Sequence, residues 1–226
     1  GADLDDPRAA SFKKLVELVA ALRPRYVALE NVPPFGVSRA RGLLCDTLDR
    51  AGYSVWETLL CPTALGIPNR RRRYYLVASR DAPLVPCDVR PAGRLVLRDL
   101  LDRVPESTAA ELALPAEFAE QYRYAIHVVD PRDDQAVAAC FTANYHRSRV
   151  LSGSYLLGED GLRRFSPREI LRLLQFPDEY TLPPGYSPRQ AWPLVGNSLS
   201  VATVRRVLAT VPELAGLADA SGQPIS

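Results

Sequence analysis

Three observations predict an α/β fold built on an open sheet. Helical and strand patterns alternate through the first eighty residues. The run Tyr26-Val27-Ala28-Leu29 is apolar throughout, as a strand covered on both faces should be. Proline or glycine marks the main junctions, at Pro24, Pro33-Pro34, Gly52 and Pro62.

The elements follow in order. Residues 9–22 place Phe12, Leu15, Val16, Val19 and Leu22 at helical spacing, which predicts an amphipathic helix stopped by Arg23-Pro24. The strand over 26–29 ends in the polar pair Glu30-Asn31. A second helix is expected over 38–51 on Leu43, Leu44 and Leu48. Strands are expected over 53–60 and 74–78, with a loop over 62–69 between them. This is the rhythm of an open α/β sheet. After Ser79 it breaks: residues 81–138 are rich in proline and short apolar pieces, with a helical segment near 115–122, and read as an inserted region. A helix over 167–174 follows, with Ser166 as N-cap and proline in its first turn. A proline-rich loop over 177–193, a last helix over 198–211 and a loose tail from Glu213 complete the chain. The expected division is thus 1–80 for a sheet domain, 81–160 for the inserted region, 161–212 returning to the sheet domain, and 213–226 for the tail.

Composition narrows the function. With 226 residues, 47% hydrophobic, 24% charged and a net charge of +2, the chain can bury a sizeable core and is too balanced to be a disordered tail. No apolar run approaches the ~20 residues of a membrane span, so no membrane partner is expected. Cys45, Cys61, Cys87 and Cys140 have no paired spacing, which points to a reduced, intracellular protein without a metal cluster. Methionine is absent and glycine stands first, as in a processed product or the later part of a longer polypeptide. Lys13 and Lys14 are the only lysines, so arginine supplies the rest of the 28 basic residues. Coding bias accounts for that excess more readily than phosphate recognition does.

Three places can carry chemistry. Glu30 stands at the carboxyl end of a buried strand, where open α/β sheets bind ligands. A partly buried glutamate there can donate a proton or a hydrogen bond to a ring nitrogen; it can equally cap the next turn or pair with an arginine. In Arg70-Arg71-Arg72-Arg73, a single strand would put Arg71 and Arg73 on one face, to hold a phosphate or a base edge. A solvated strand edge is the competing explanation. Gly196-Asn197-Ser198 precedes the expected last helix, as a simple cap or as a set of backbone N–H groups and a hydroxyl facing a ligand. Cys140-Phe141-Thr142 reads as inert packing, and His127 and His146 have no partner at a recognisable spacing.

Together the segments ENV at 30–32, PNRRRRYYLVAS at 68–79, RRFSPREILRLLQFPDEY at 163–180 and GNSLSVATV at 196–204 resemble the cytosine-C5 methyltransferases. DDPRAASF at 5–12 is similar to the Asp-x-Arg helix start that precedes ENV in that family. CPTALGIPN at 61–69 and CFTANY at 140–145 resemble the branch that methylates cytosine in a tRNA anticodon loop. DNA-specific members usually carry glutamine where Asn69 stands. The resemblance implies a Rossmann-like S-adenosylmethionine-dependent methyltransferase fold, incomplete at its N-terminus, with 81–160 as a small target-recognition region. It implies S-adenosyl-L-methionine as cofactor and nucleic acid as partner, tRNA over DNA. Glu30 would hold or protonate cytosine N3, Arg71 and Arg73 would contact the base and a neighbouring phosphate, and Asn197 and Ser198 would line the methyl-donor pocket.

In the family a cysteine thiolate from a Pro-Cys-Gln loop attacks C6 of an extruded cytosine, after which C5 takes the methyl. That loop precedes the Asp-x-Arg helix. Pro86-Cys87-Asp88 stands after ENV and lacks the glutamine, and Cys61 and Cys140 lie in other motifs. The chain alone is therefore expected to be inactive. It would be the C-terminal part of a complete enzyme, one polypeptide of a split enzyme completed by an N-terminal partner, or an inactive nucleic-acid-binding relative, in the cytoplasm or the nucleus.

Overall fold

The structure, a computed structural model, describes residues 3–86, 89–91, 93–102, 106–148, 150–158 and 161–218. Cys87 and its neighbour Asp88 lie outside the described residues. The first stretch of chain forms α1 (Ala10–Leu22), β1 (Tyr26–Asn31), α2 (Arg39–Arg50), β2 (Ser54–Leu60), β3 (Asn69–Arg70) and β4 (Arg73–Ser79). The rest forms α3 (Glu106–Leu112), α4 (Ala116–Tyr122), β5 (His127–Val129), β6 (Ala138–Ala139), β7 (Ser154–Gly158), β8 (Gly161–Arg164), α5 (Pro167–Leu173), α6 (Pro188–Asn197) and α7 (Val201–Leu208). Two compact units share this chain. One takes the described residues up to Leu60, those of 72–89 and those from Thr203 onward; the other takes 61–71 and 90–202. The boundaries differ from the expected ones: 61–71 and 161–202 both group with the region after 90.

The first unit is a three-layer sandwich. Its sheet is ordered β1-β4-β2, and β4 runs antiparallel to both neighbours. The helix-linked β1 and β2 therefore point the same way, as a crossover connection requires. Successive side chains of β4 alternate between faces. Tyr74, Leu76 and Ala78 pack with Val16 and Val19 of α1, Leu44 and Leu48 of α2, and Phe35. Tyr75 and Val77 pack with Leu60, Val207 and Val211, and the Tyr75 hydroxyl meets Thr203 Oγ1 at 2.8 Å. Both faces are covered, which is why β4 reads as an unbroken apolar run.

Local chemistry sets the helix ends. Ser38 Oγ accepts from the Arg41 N–H at 3.1 Å and starts α2, and Gly52 turns away from its end at φ +77°. Two expectations change here. The buried stripe of α1 runs through Phe12, Val16 and Val19, while Leu15 and Leu22 are exposed together with Leu18; the helix carries two apolar faces, and spacing alone merged them. The tail from Glu213 is not loose at its start: Pro212–Ala218 forms 3-10 turns, and Glu213 accepts from Arg25 and Tyr26.

One polar cluster in this unit gives a pH test. Glu57 of β2 accepts from Arg41 Nε at 2.7 Å, with the Tyr74 hydroxyl and the Cys45 thiol also donating. The Arg41 guanidinium holds the Glu57 carboxyl below its ordinary value, against the opposing effect of burial. A folded value below the unfolded one means the contribution is complete above the ordinary glutamate range and is lost as pH falls through the folded value. Thermal melts from neutral pH down to about pH 3 should show the first unit weakening with acid, and Glu57→Gln should remove part of that slope. An unchanged slope would show the cluster to be inert.

The second unit has a sheet ordered β5-β7-β8, with β5 parallel and β8 antiparallel to β7, and a short parallel pair of β3 with β6. Its core is aromatic: Phe141, Tyr145, Tyr155, Phe165 and Trp192 surround Ile170, Leu173 and Val195. The expected Ser166 cap is present as a full capping box. Ser166 Oγ accepts from the Glu169 N–H at 3.1 Å, and the Glu169 carboxylate accepts from the Ser166 N–H at 2.7 Å. Glu169 is fully buried yet also takes Arg163 Nη2 at 2.7 Å and the Asp102 N–H at 3.2 Å, so its charge is paired and hydrogen-bonded. The loop expected over 177–193 ends early. Pro188 opens α6, where a missing N–H costs nothing, and Pro193 is carried inside it. The expected helix over 198–211 is the shorter α7.

Candidate active site

In the first unit, Glu30 is the fifth residue of β1 and sits opposite Tyr75. Arg73 opens β4 two residues before Tyr75, so antiparallel pairing puts Glu30 and Arg73 on one face. Arg73 Nε lies 3.2 Å from Glu30 Oε1, with the two side chains 17% and 22% exposed. Of the alternatives the sequence left open, Glu30 takes the pairing with an arginine. The pair stands at the carboxyl end of β1. The arginine therefore anchors the carboxylate at Oε1.

Arg71 lies elsewhere. It belongs to the second unit, where β3 ends at Arg70, and it is only 5% exposed. Nη2 donates to the Ser198 carbonyl at 2.7 Å, and Nη1 donates to the Phe141 carbonyl at 3.0 Å and approaches Cys140 Sγ at 3.4 Å. The expectation that Arg71 and Arg73 share one face of a single strand is therefore corrected. The Arg71 N–H turns back to the Asn69 carbonyl, and the strand is interrupted between the two arginines. Arg71 is a staple between main-chain segments, and Arg70 and Arg72 are exposed.

The staple joins the sequence motifs of this unit. Asn69 is buried, and its Nδ2 donates to the Ala139 carbonyl at 3.2 Å while Oδ1 has no partner. A Cβ on Gly196 would stand 2.3 Å from the carbonyl carbon of Thr142, so only glycine lets α6 approach the 140–145 segment this closely. PNRRRR, CFTANY and GNS thus meet at one place. Asn69 and Cys140 are not among the expected site residues, and Gly196, expected as part of a turn, acts through this close approach. The signal for them is the shared occurrence of the three motifs, since a buried contact leaves no periodicity.

Asn197 and Ser198 also sit differently. They end α6 rather than start the next helix: Asn197 is its last residue and Ser198 its C-cap. The expected set of backbone N–H donors is therefore replaced by carbonyls at the negative end of a helix. Asn197 is exposed, whereas Ser198 donates its hydroxyl to the Leu194 carbonyl at 3.0 Å and gives its own carbonyl to Arg71. Among the described residues no group of three or more His, Cys, Asp or Glu could hold a metal, and no helix is long and apolar enough to cross a membrane.

Comparison with known proteins identifies the family. A family model described as C-5 cytosine-specific DNA methylase matches residues 2–126 and 115–213. The tRNA (cytosine(38)-C(5))-methyltransferase of Mus musculus is 26% identical over 312 residues, covering 97% of this chain and 75% of the relative. A DNA (cytosine-5)-methyltransferase of Dictyostelium discoideum is 25% identical, covering 91% of this chain and 71% of its own length. Among solved structures, the methyltransferase of Entamoeba histolytica shares the fold at a TM-score of 0.79 and 22% identity, over 96% of this chain and 70% of that one. Because the family model matches nearly the whole of this chain, the chain belongs to the C-5 cytosine-specific DNA methylase family.

Proposed function

We propose that this chain is the part of an S-adenosylmethionine-dependent methyltransferase that positions a cytosine for methylation at C5, with tRNA as the favoured substrate. The observation that carries the reading is the Glu30–Arg73 pair at the carboxyl end of β1. Arg73 engages Glu30 Oε1, and Glu30 Oε2 is the atom assigned to hydrogen-bond or protonate cytosine N3. Charge drawn to N3 makes C6 more electrophilic toward a thiolate. The target base must leave its stack to reach these groups.

The residues assigned to the methyl donor fit it unequally. Asn197 offers an exposed amide that can donate and accept, which suits the polar edge of the amino acid or ribose part of S-adenosylmethionine. Ser198 retains only hydroxyl lone pairs, since its proton and carbonyl are committed within the chain. When bound, the cofactor supplies an electrophilic methyl. Asn197 would orient it, and Ser198 would set the turn that presents Asn197.

The nucleophile is assigned to a polypeptide outside these 226 residues. Cys45, Cys61 and Cys140 form no disulfide, but none stands in a Pro-Cys-Gln sequence. Burial and Glu57 both push the Cys45 thiol upward, away from the reactive thiolate. Two features support a complementing segment: among the described residues β1 is paired on one side only, with β4, and α1 leaves Leu15, Leu18 and Leu22 exposed. Cysteines that form no disulfide and a nucleic-acid substrate both agree with an intracellular location, cytoplasmic or nuclear.

The substrate preference rests on the 61–69 and 140–145 segments and on the tRNA-acting relatives; the Dictyostelium relative keeps DNA as the second reading. Methyl transfer by the chain completed with a thiol-bearing segment should be at least tenfold faster on tRNA than on duplex DNA, measured side by side with labelled cofactor (about 1.4 kcal/mol in barrier). Transfer to DNA alone would reverse the assignment, and transfer by the 226 residues alone would remove the need for an outside thiol.

A further inference from the structure

We propose that a cavity at the start of α6, within the second unit, is a subsite for a backbone phosphate of the nucleic acid. It holds about 360 Å³ and is lined by Glu111, His146, Arg164, Ser187, Arg189 and Trp192. The proposal rests on the nucleic-acid reading above and adds a contact to it.

Two buried donors in this lining have nothing to donate to. Arg147 Nε donates to His146 Nε2 at 2.9 Å. An arginine can only donate, so Nε2 is the acceptor and the proton of the neutral ring sits on Nδ1. That Nδ1 is buried and has no hydrogen-bond partner. Arg164 Nε is buried and unpartnered as well. The Arg164 guanidinium lies over the Trp192 ring, 5.6 Å from its centroid, and among the described residues neither Arg164 nor Arg189 has a carboxylate at ion-pair distance. Buried donors are nearly always satisfied, so a pair of orphans around one cavity calls for an acceptor that the chain does not supply.

The chemistry of that acceptor follows from the lining. Arg164 and Arg189 bring two positive charges and Glu111 one negative, which leaves a net charge suited to a monoanion. The amino end of α6, a ten-residue helix, adds its positive dipole end. A metal ion would meet two guanidinium cations, with Glu111 the single carboxylate in the lining. A phosphodiester presents acceptor oxygens with a single negative charge, and guanidinium groups are its usual partners.

The test uses the 226-residue chain with a fluorescently labelled RNA stem-loop, a labelled DNA duplex and inorganic phosphate as probes. Arg164→Gln and Arg189→Gln should each weaken RNA binding about three- to tenfold near 0.1 M salt and reduce the slope of log K against log salt by about one. Arg132→Gln, whose arginine pairs with Asp130, serves as the control and should change neither. Arg189 is exposed, so its variant carries the test even if Arg164→Gln loosens the packing on Trp192. Wild-type binding with unchanged affinity and slope in both variants would overturn the phosphate subsite alone. No binding of RNA or DNA by wild type at low salt would overturn the nucleic-acid reading beneath it. Inorganic phosphate that perturbs the His146 ring signals in a way RNA neither reproduces nor competes with would assign the cavity to free phosphate and reject the backbone contact.

Discussion

Glu30→Gln should lower the turnover of the completed enzyme by about 10²- to 10⁴-fold, the range expected when a positioned proton donor is removed. The amide is nearly isosteric, and its oxygen can still accept from Arg73 Nε, now 3.2 Å from Glu30 Oε1. The strand pairing of Glu30 with Tyr75 uses the backbone and is untouched. Stability should therefore hold, and KM should move far less than kcat, because the lost interaction develops only as N3 gains a proton. Arg73→Gln should give a smaller loss, since it frees the carboxylate without removing it. The measurement is steady-state methyl transfer on tRNA together with thermal unfolding of each variant. Wild-type turnover in Glu30→Gln would end the assignment, and an equal fall in melting temperature would recast the pair as structural.

The sequence revealed the parts of this site that are local. Glu30 ends a short apolar strand and is followed by two prolines, so its place at a strand terminus is written in adjacent residues. The start of α5 was equally plain, because Ser166, Pro167 and Glu169 form a complete capping signal within four positions. What the sequence hid depends on distant partners. Four consecutive arginines look like one strand, whereas Asn69 and Arg70 pair with Ala138 and Ala139, and the chain turns at Arg71 before β4 begins at Arg73. Prolines at 188 and 193 look like loop residues, yet one opens a helix and the other is tolerated inside it. Gly196 reads as a turn residue, while its role is to let two backbone segments touch. The two apolar faces of α1 appear as one stripe until the core on the far side is known.

Arg71→Met should cost about 3–5 kcal/mol of the stability of the second unit, because it strands buried acceptors that the guanidinium now satisfies. The side chain is almost fully buried and ends against the carbonyls of Phe141 and Ser198, with the Gly196 carbonyl also within 3.5 Å. Those carbonyls come from the 140–145 segment and from the negative end of α6, where a cation is favoured. Methionine fills much of the volume but offers no donor. Each stranded carbonyl then carries its own desolvation cost of about 1–3 kcal/mol. Lysine keeps the charge but has one nitrogen where two are used, so Arg71→Lys should fall between methionine and wild type. A loss of this size lowers the melting temperature by roughly 10 °C in a domain of this length. The same variants separate this role from the base contact expected of an Arg-x-Arg motif. A staple lost from the second unit shows first as lower stability, and RNA affinity and turnover recover at low temperature, where the fold is intact. A direct base contact would leave the melting temperature alone and depress turnover at every temperature, and that outcome would return Arg71 to the catalytic group.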